Sequence, residues 1–176
     1  MNPNATKAKR IITEILKQSP EGIGKTKLYK TFWVAHLFYA ERQVGFLSDW
    51  PIVRMPMGPG IDRGESLVAE LIDEGRVSVT NERVGPFVET RHHLGKSDEH
   101  PLPTEAVEAI KEAVAYIKPM SAEECSDLSH RFSRSWNQTS NGEEMDIYSD
   151  LIPDVEYGQR REEMKKLAAA MRAVLE

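Results

Sequence analysis

The sequence predicts an α+β fold, mainly helical, in which a small antiparallel sheet of two or three strands lies against one central buried helix. Three observations lead there. Between Phe32 and Ala40 only His36 is polar, and five of the thirteen aromatic residues lie between Tyr29 and Tyr39. Amphipathic helical patterns stand on both sides of that stretch. Further on, Val77 and Val79 alternate with polar neighbours, and Phe87–Leu94 reads as a returning strand.

The apolar stretch, Lys25 to Gln43, sets the layout. Leu28, Phe32, Ala35 and Tyr39 form one row at helical spacing, and Tyr29, Trp33, Leu37 and Ala40 form the next. Val34 and Phe38 cover much of what remains, so the helix is apolar almost all round and belongs inside the fold. It is too short to span a bilayer, and Lys25, Lys27, Lys30, Glu41 and Arg42 flank it.

Taken in order, Ala5, Ala8, Ile11, Ile12, Ile15 and Leu16 keep the spacing of an amphipathic helix capped by Asn4 or Thr6 and stopped near Ser19-Pro20. Gly45 is placed to end the central helix. Pro51–Met55 is a short strand, and Met57-Gly58-Pro59-Gly60 a tight turn. Asp62 and Glu65 have the spacing of a capping pair for a helix that buries Leu67, Val68, Leu71 and Ile72 and closes at Gly75. Asn81 to Pro86 then joins two strands of a hairpin. After a polar connector from Lys96 to Pro103, Thr104 caps a helix with Val107, Ile110, Val114 and Ile117. Ser121 and Glu124 form a capping box for a short helix whose inner face is Cys125, Leu128 and Phe132. Asn137 to Asp150 reads as a polar loop. A last helix, about 156–175, buries Tyr157, Met164, Leu167, Ala168 and Met171.

Length and composition fit one domain spanning 1–176: 40% of residues are hydrophobic and 29% charged. No apolar segment follows a basic start, and the lone Cys125 fits a reducing cytosol, so a cytoplasmic protein without a membrane partner is expected. Net charge is −5 but uneven: the first 50 residues carry 8 basic and 4 acidic side chains, and all the excess acid lies beyond them. That balance suits a solvated surface better than a dedicated nucleic-acid binder.

Motifs for chemistry are weak. Gly22-Ile23-Gly24-Lys25-Thr26 looks like part of a phosphate loop, yet Ser19 stands where that loop needs a glycine and a helix precedes it instead of a strand. His92 and His93 are adjacent on a strand and point to opposite faces, and no His or Cys pair has zinc spacing. His36 reads as a core histidine satisfied by a hydrogen bond. No nucleophile elbow is present, and Cys125 reads as packing. The expectation is therefore no catalytic residues, no metal and no cofactor. Two helices, Lys25, Lys27 and Lys30 at the start of the second, a later helix and a hairpin also resemble a winged helix-turn-helix, with those three lysines as its DNA contacts.

Several features occur in a fixed order. Lys27-Leu28-Tyr29-Lys30 opens the aromatic helix, Gly45 follows, a strand ends at Arg54-Met55, and Gly58-Pro59 precedes a helix with Leu67, Leu71 and Gly75. Later come Leu128-Ser129-His130 and Trp136. In that order they resemble the Panacea domain, the domain of SocA-like antitoxins and of the phage-associated protein GepA, over about residues 7–136. The chain departs from the family at Gly60, where a hydrophobic residue is common, and its last helix lies beyond the match. The resemblance implies a non-enzymatic module that binds a toxin encoded nearby and blocks it or delivers it to a protease. The residues suited to such contact are Met55, Met57, Gly58, Pro59, Arg131, Arg134 and Trp136: methionines adapt to a partner's shape, and tryptophan beside arginine has hot-spot composition.

Overall fold

The computed structural model describes residues 4–96 and 101–153, together with Glu156, Gln159, Glu162, Glu163 and Lys166. The elements in order are α1 (Ala5–Lys17), β1 (Ile23–Gly24), α2 (Lys25–Ala40), a hairpin of β2 (Ile52–Met55) and β3 (Gly58–Ile61), and α3 (Gly64–Asp73). A second hairpin of β4 (Val77–Val84) and β5 (Phe87–Leu94) follows, then α4 (Thr104–Ile117), α5 (Ala122–Phe132), α6 (Arg134–Gln138) and a 3-10 helix (Ile147–Leu151). The fold is α+β, with one antiparallel sheet of order β1-β5-β4 and a separate two-stranded one, β2-β3.

Helix α2 runs through the middle, as its composition requires. Leu28, Phe32 and Ala35 are fully buried and Trp33 is 4% exposed. Each large side chain so placed stabilises the fold by about 1.5–3 kcal/mol. Around it pack α1, whose Ile11, Ile12, Ile15 and Leu16 are buried, and α4 with Ile110, Ala113 and Ile117. Asn4 caps α1 by accepting from the Lys7 backbone N–H at 3.0 Å. Lys9 ties α1 to α3 through Glu70 (2.8 Å) and Glu74 (2.5 Å).

Several local expectations are corrected. Gly58-Pro59-Gly60 is no turn: it is strand β3, buried throughout, and the turn sits at Pro56-Met57. The strand forms because β2 pairs with it residue for residue, Met55 opposite Gly58 and Ile52 opposite Ile61. The α3 cap is Arg63 in a left-handed conformation (φ 45°), without a side-chain cap bond, so the Asp62–Glu65 capping pair does not form. Asp62 bonds Arg63 instead, and Glu65 pairs with Lys25. Of the predicted α3 face, Ile72 is exposed, while Gly75 does close the helix at φ +70°.

The long hairpin turns on Gly85-Pro86 alone, because pairing continues to Val84–Phe87 and absorbs the residues predicted as its loop. Ile23-Gly24 adds a strand to its other side, Ile23 opposite His92 and Gly24 opposite Arg91. Central helix α2 ends at Ala40, five residues before Gly45. The α4 cap is Pro103, with Thr104 already helical. On α5, Phe132 is 74% exposed, and the buried positions beside Cys125 are Ser126 and Ser129. The stretch from 137 to 150 is more than a loop: it contains the end of α6, buried Met145 and Ile147, and a bridge from Glu144 to Val53.

Glu156, Gln159, Glu162, Glu163 and Lys166 are helical. Tyr157, Met164, Leu167, Ala168 and Met171, predicted as the inner face of the last helix, lie outside the described residues, as do positions 97–100 of the connector. No helix among the described residues is long and apolar enough to cross a membrane.

Candidate interaction surface around the β2–β3 hairpin

An apolar helix offers a lysine no solvent face, and Lys30 shows the consequence. Its side chain lies inside, with the residue 2% exposed. The ammonium donates to two hairpin carbonyls, Met57 O at 2.6 Å and Pro59 O at 3.2 Å. Neither is a carboxylate, so burial dominates and pushes its pKa down to about 8. Between those carbonyls sits Gly58 at φ +100°, where a Cβ would collide with Ser129 Oγ and Lys30 Nζ. Only glycine lets the strand come this close to α2 and α5.

Helix α5 meets the hairpin with small side chains. The Ser121–Glu124 capping box starts it, with Ser121 N donating to Glu124 Oε2 at 2.6 Å and Glu124 N to Ser121 Oγ at 3.1 Å. Ser126 and Ser129 are buried because each hydroxyl donates to a carbonyl of its own helix, Ala122 O and Ser126 O. Cys125 beside them is buried, and burial raises its thiol pKa, which makes it inert as a nucleophile.

The corner between α5 and α6 is held by Asp150. Its carboxylate accepts from Ser133 Oγ (2.8 Å), Ser135 N (2.8 Å) and Ser135 Oγ (2.9 Å). That corner sets Trp136 against the hairpin. The indole donates to Met55 O at 3.0 Å, and Arg54 Nε donates to Trp136 O at 2.9 Å. The Arg54 guanidinium stands 4.2 Å from the centre of the Trp136 ring, and His130 stacks on it at 4.1 Å. On the outer side of β2, Arg54 N donates to Glu143 O and Gly142 N to Arg54 O.

The hairpin is thus clamped from beneath by Lys30 and from the side by Trp136, while its tip stays open, with Met57 59% exposed. Met55, Met57, Gly58, Pro59 and Trp136 come together in one cluster; within it Gly58 and Pro59 are buried, Met55 and Trp136 half-buried, and Met57 alone is projected. Arg131 is exposed near Asp127, at 3.8 Å. Arg134 turns inward and donates to Ser149 O (2.8 Å) and Ile152 O (3.1 Å), so it braces the corner. Sequence reasoning missed Arg54, Ser129 and Asp150 as members of the cluster. Lys30 carried a signal, since a lysine in a helix with no polar face has nowhere to go but in.

The three lysines expected to touch DNA do not share a surface. Lys30 is buried, Lys25 pairs with Glu65, and Lys27 Nζ donates to Lys118 O at 3.0 Å. Gly22 and Gly24 serve the sheet: His93 and Glu89 fill the space where their Cβ atoms would stand. A cavity of about 240 Å³ beside them is lined by Lys27, Arg91 and Lys118, with ion pairs across it from Lys118 to Glu21 (3.0 Å) and Arg91 to Glu89 (3.0 Å). His36 is buried and bonds Phe32 O through Nδ1 (2.7 Å) and Ser48 Oγ through Nε2 (2.8 Å); burial pushes its pKa down to about 4.

The chain matches no protein-family model, no curated protein and no solved structure.

Proposed function

We propose that the protein is a non-enzymatic interaction module of antitoxin type, which binds a partner protein through the β2–β3 tip and the adjoining α5–α6 corner. One observation carries this reading: the hairpin is immobilised by buried Lys30 and by Trp136 while Met57 is presented to solvent. A rigid platform with an adaptable thioether at its tip lowers the ordering cost of binding and tolerates differences in partner shape. The residues that resemble the Panacea domain, Lys30, Arg54-Met55, Gly58-Pro59, Ser129-His130 and Trp136, are the ones that build this platform. The partner is then a toxin encoded nearby, held inactive or presented to a protease.

The test is co-expression of the full chain with the adjacent reading frame, followed by affinity capture. A protein that co-purifies, and is lost with Met57→Asp and Arg131→Glu while the melting temperature is kept, supports the reading. Capture of duplex DNA with no protein overturns it.

A second reading, a winged-helix DNA-binding regulator, is favoured by one feature. The sheet order β1-β5-β4, with α1, α2 and α3 in sequence around it, is compatible with a winged helix interrupted by the β2–β3 hairpin. The helix in the recognition position argues the other way. Exposed positions of α3 and its C-cap carry Glu65, Glu70, Asp73 and Glu74, which repel phosphate. A winged-helix scaffold put to protein binding reconciles both observations.

A further inference from the structure

Away from the hairpin, an apolar groove of about 330 Å³ runs between α2, α4 and α5. Trp33, Leu37 and Phe38 of α2, Leu128 and Phe132 of α5, and Leu151 line it. Phe132 is largely exposed and Leu37 and Phe38 are only half-buried, so no described residue covers them. The buried indole N–H of Trp33 has no acceptor among the described residues, an uncommon state for a buried donor.

Two observations bear on what covers this groove. Leu151 closes the 3-10 helix and lines the groove, so the chain leaves the described fold at the groove's own edge. Beyond it, Gln159, Glu162, Glu163 and Lys166 are helical and exposed, and their spacing of three, four and seven marks one polar face. At helical spacing the opposite stripe is Tyr157, Met164, Ala168 and Met171. We propose that the segment 156–175 docks this stripe into the groove of its own chain.

The tether favours the same chain over a second copy. Residues 152–155 separate Leu151 from the segment and reach no more than about 17 Å when fully extended. The groove lies within that radius, and its rim residue Glu41 complements the segment's Arg160 and Lys165.

Cross-linking of the full chain tests this. Phe132→Cys paired with Met164→Cys is compared with Phe132→Cys paired with Glu163→Cys, using a short thiol-to-thiol reagent; native Cys125 is buried and does not compete. The first pair is expected to link within one chain at about ten times the yield of the second. Equal yields, no link, or links only between chains overturn the proposal, the last by placing a second copy in the groove.

Discussion

At the scale of single residues, two buried bases carry testable pH dependence. His36 stays neutral in the fold, its pKa lowered to about 4 chiefly by burial, against an ordinary value of 6.5. The unfolded chain therefore takes up a proton that the folded one refuses, and stability that is complete above pH 6.5 is lost as pH falls toward 4. The loss amounts to about 3 kcal/mol. Urea unfolding should show a steeper decline between pH 6.5 and 4.5 for the wild type than for His36→Gln. Lys30 repeats the effect, with the same sign, at alkaline pH. Its folded pKa of about 8 lies below the ordinary 10.5, so stability should rise as pH climbs from 8 toward 10. Tyr29 and Tyr148, raised to about 12 by burial, oppose this above pH 10, so the window to measure ends there. Lys30→Met should abolish the rise, because the group whose folded and unfolded pKa values differ is gone.

At the scale of elements, the β2–β3 hairpin is the informative one. Its pairing makes Gly58 indispensable: Gly58→Ala combines a positive φ with a collision against Ser129 and Lys30. A loss of about 2 kcal/mol or more is expected, with faster amide exchange over residues 52–61 than elsewhere. Trp136→Ala should cost about 2 kcal/mol by removing the indole bond to Met55 O and the stack with His130, whereas Trp136→Phe should retain part of it. Helices α1 and α4 were legible from their regular apolar spacing, α2 from being apolar almost all round, and α5 from its Ser121–Glu124 capping box, although its predicted face was wrong at Phe132. Gly58-Pro59-Gly60 was not, because glycine and proline favour turns locally and only pairing with β2 holds them extended.

At the scale of the whole molecule, charge and topology act in opposite directions. The order of helices and strands suits a winged helix, while the exposed acids of α3 oppose phosphate. Titrating the purified protein with duplex DNA from low to moderate salt should show no salt-sensitive binding. Binding that weakens steeply with salt, and is lost with Lys25→Ala and Lys27→Ala, would establish the DNA-binding reading instead.

The sequence by itself determined that a helix with no polar face must run through the centre, that α+β architecture surrounds it, and that His36 must be satisfied inside. Hydrophobic burial and backbone hydrogen bonding act on any chain with that spacing, so those conclusions need no knowledge of who packs against whom. Only the tertiary structure decided that Lys30 points into the hairpin, that Gly58-Pro59 is a strand, and that Arg54, Ser129, Asp150 and Trp136 meet around it. Those side chains are separated by up to 120 positions along the chain, and their juxtaposition depends on long-range packing that no local pattern encodes.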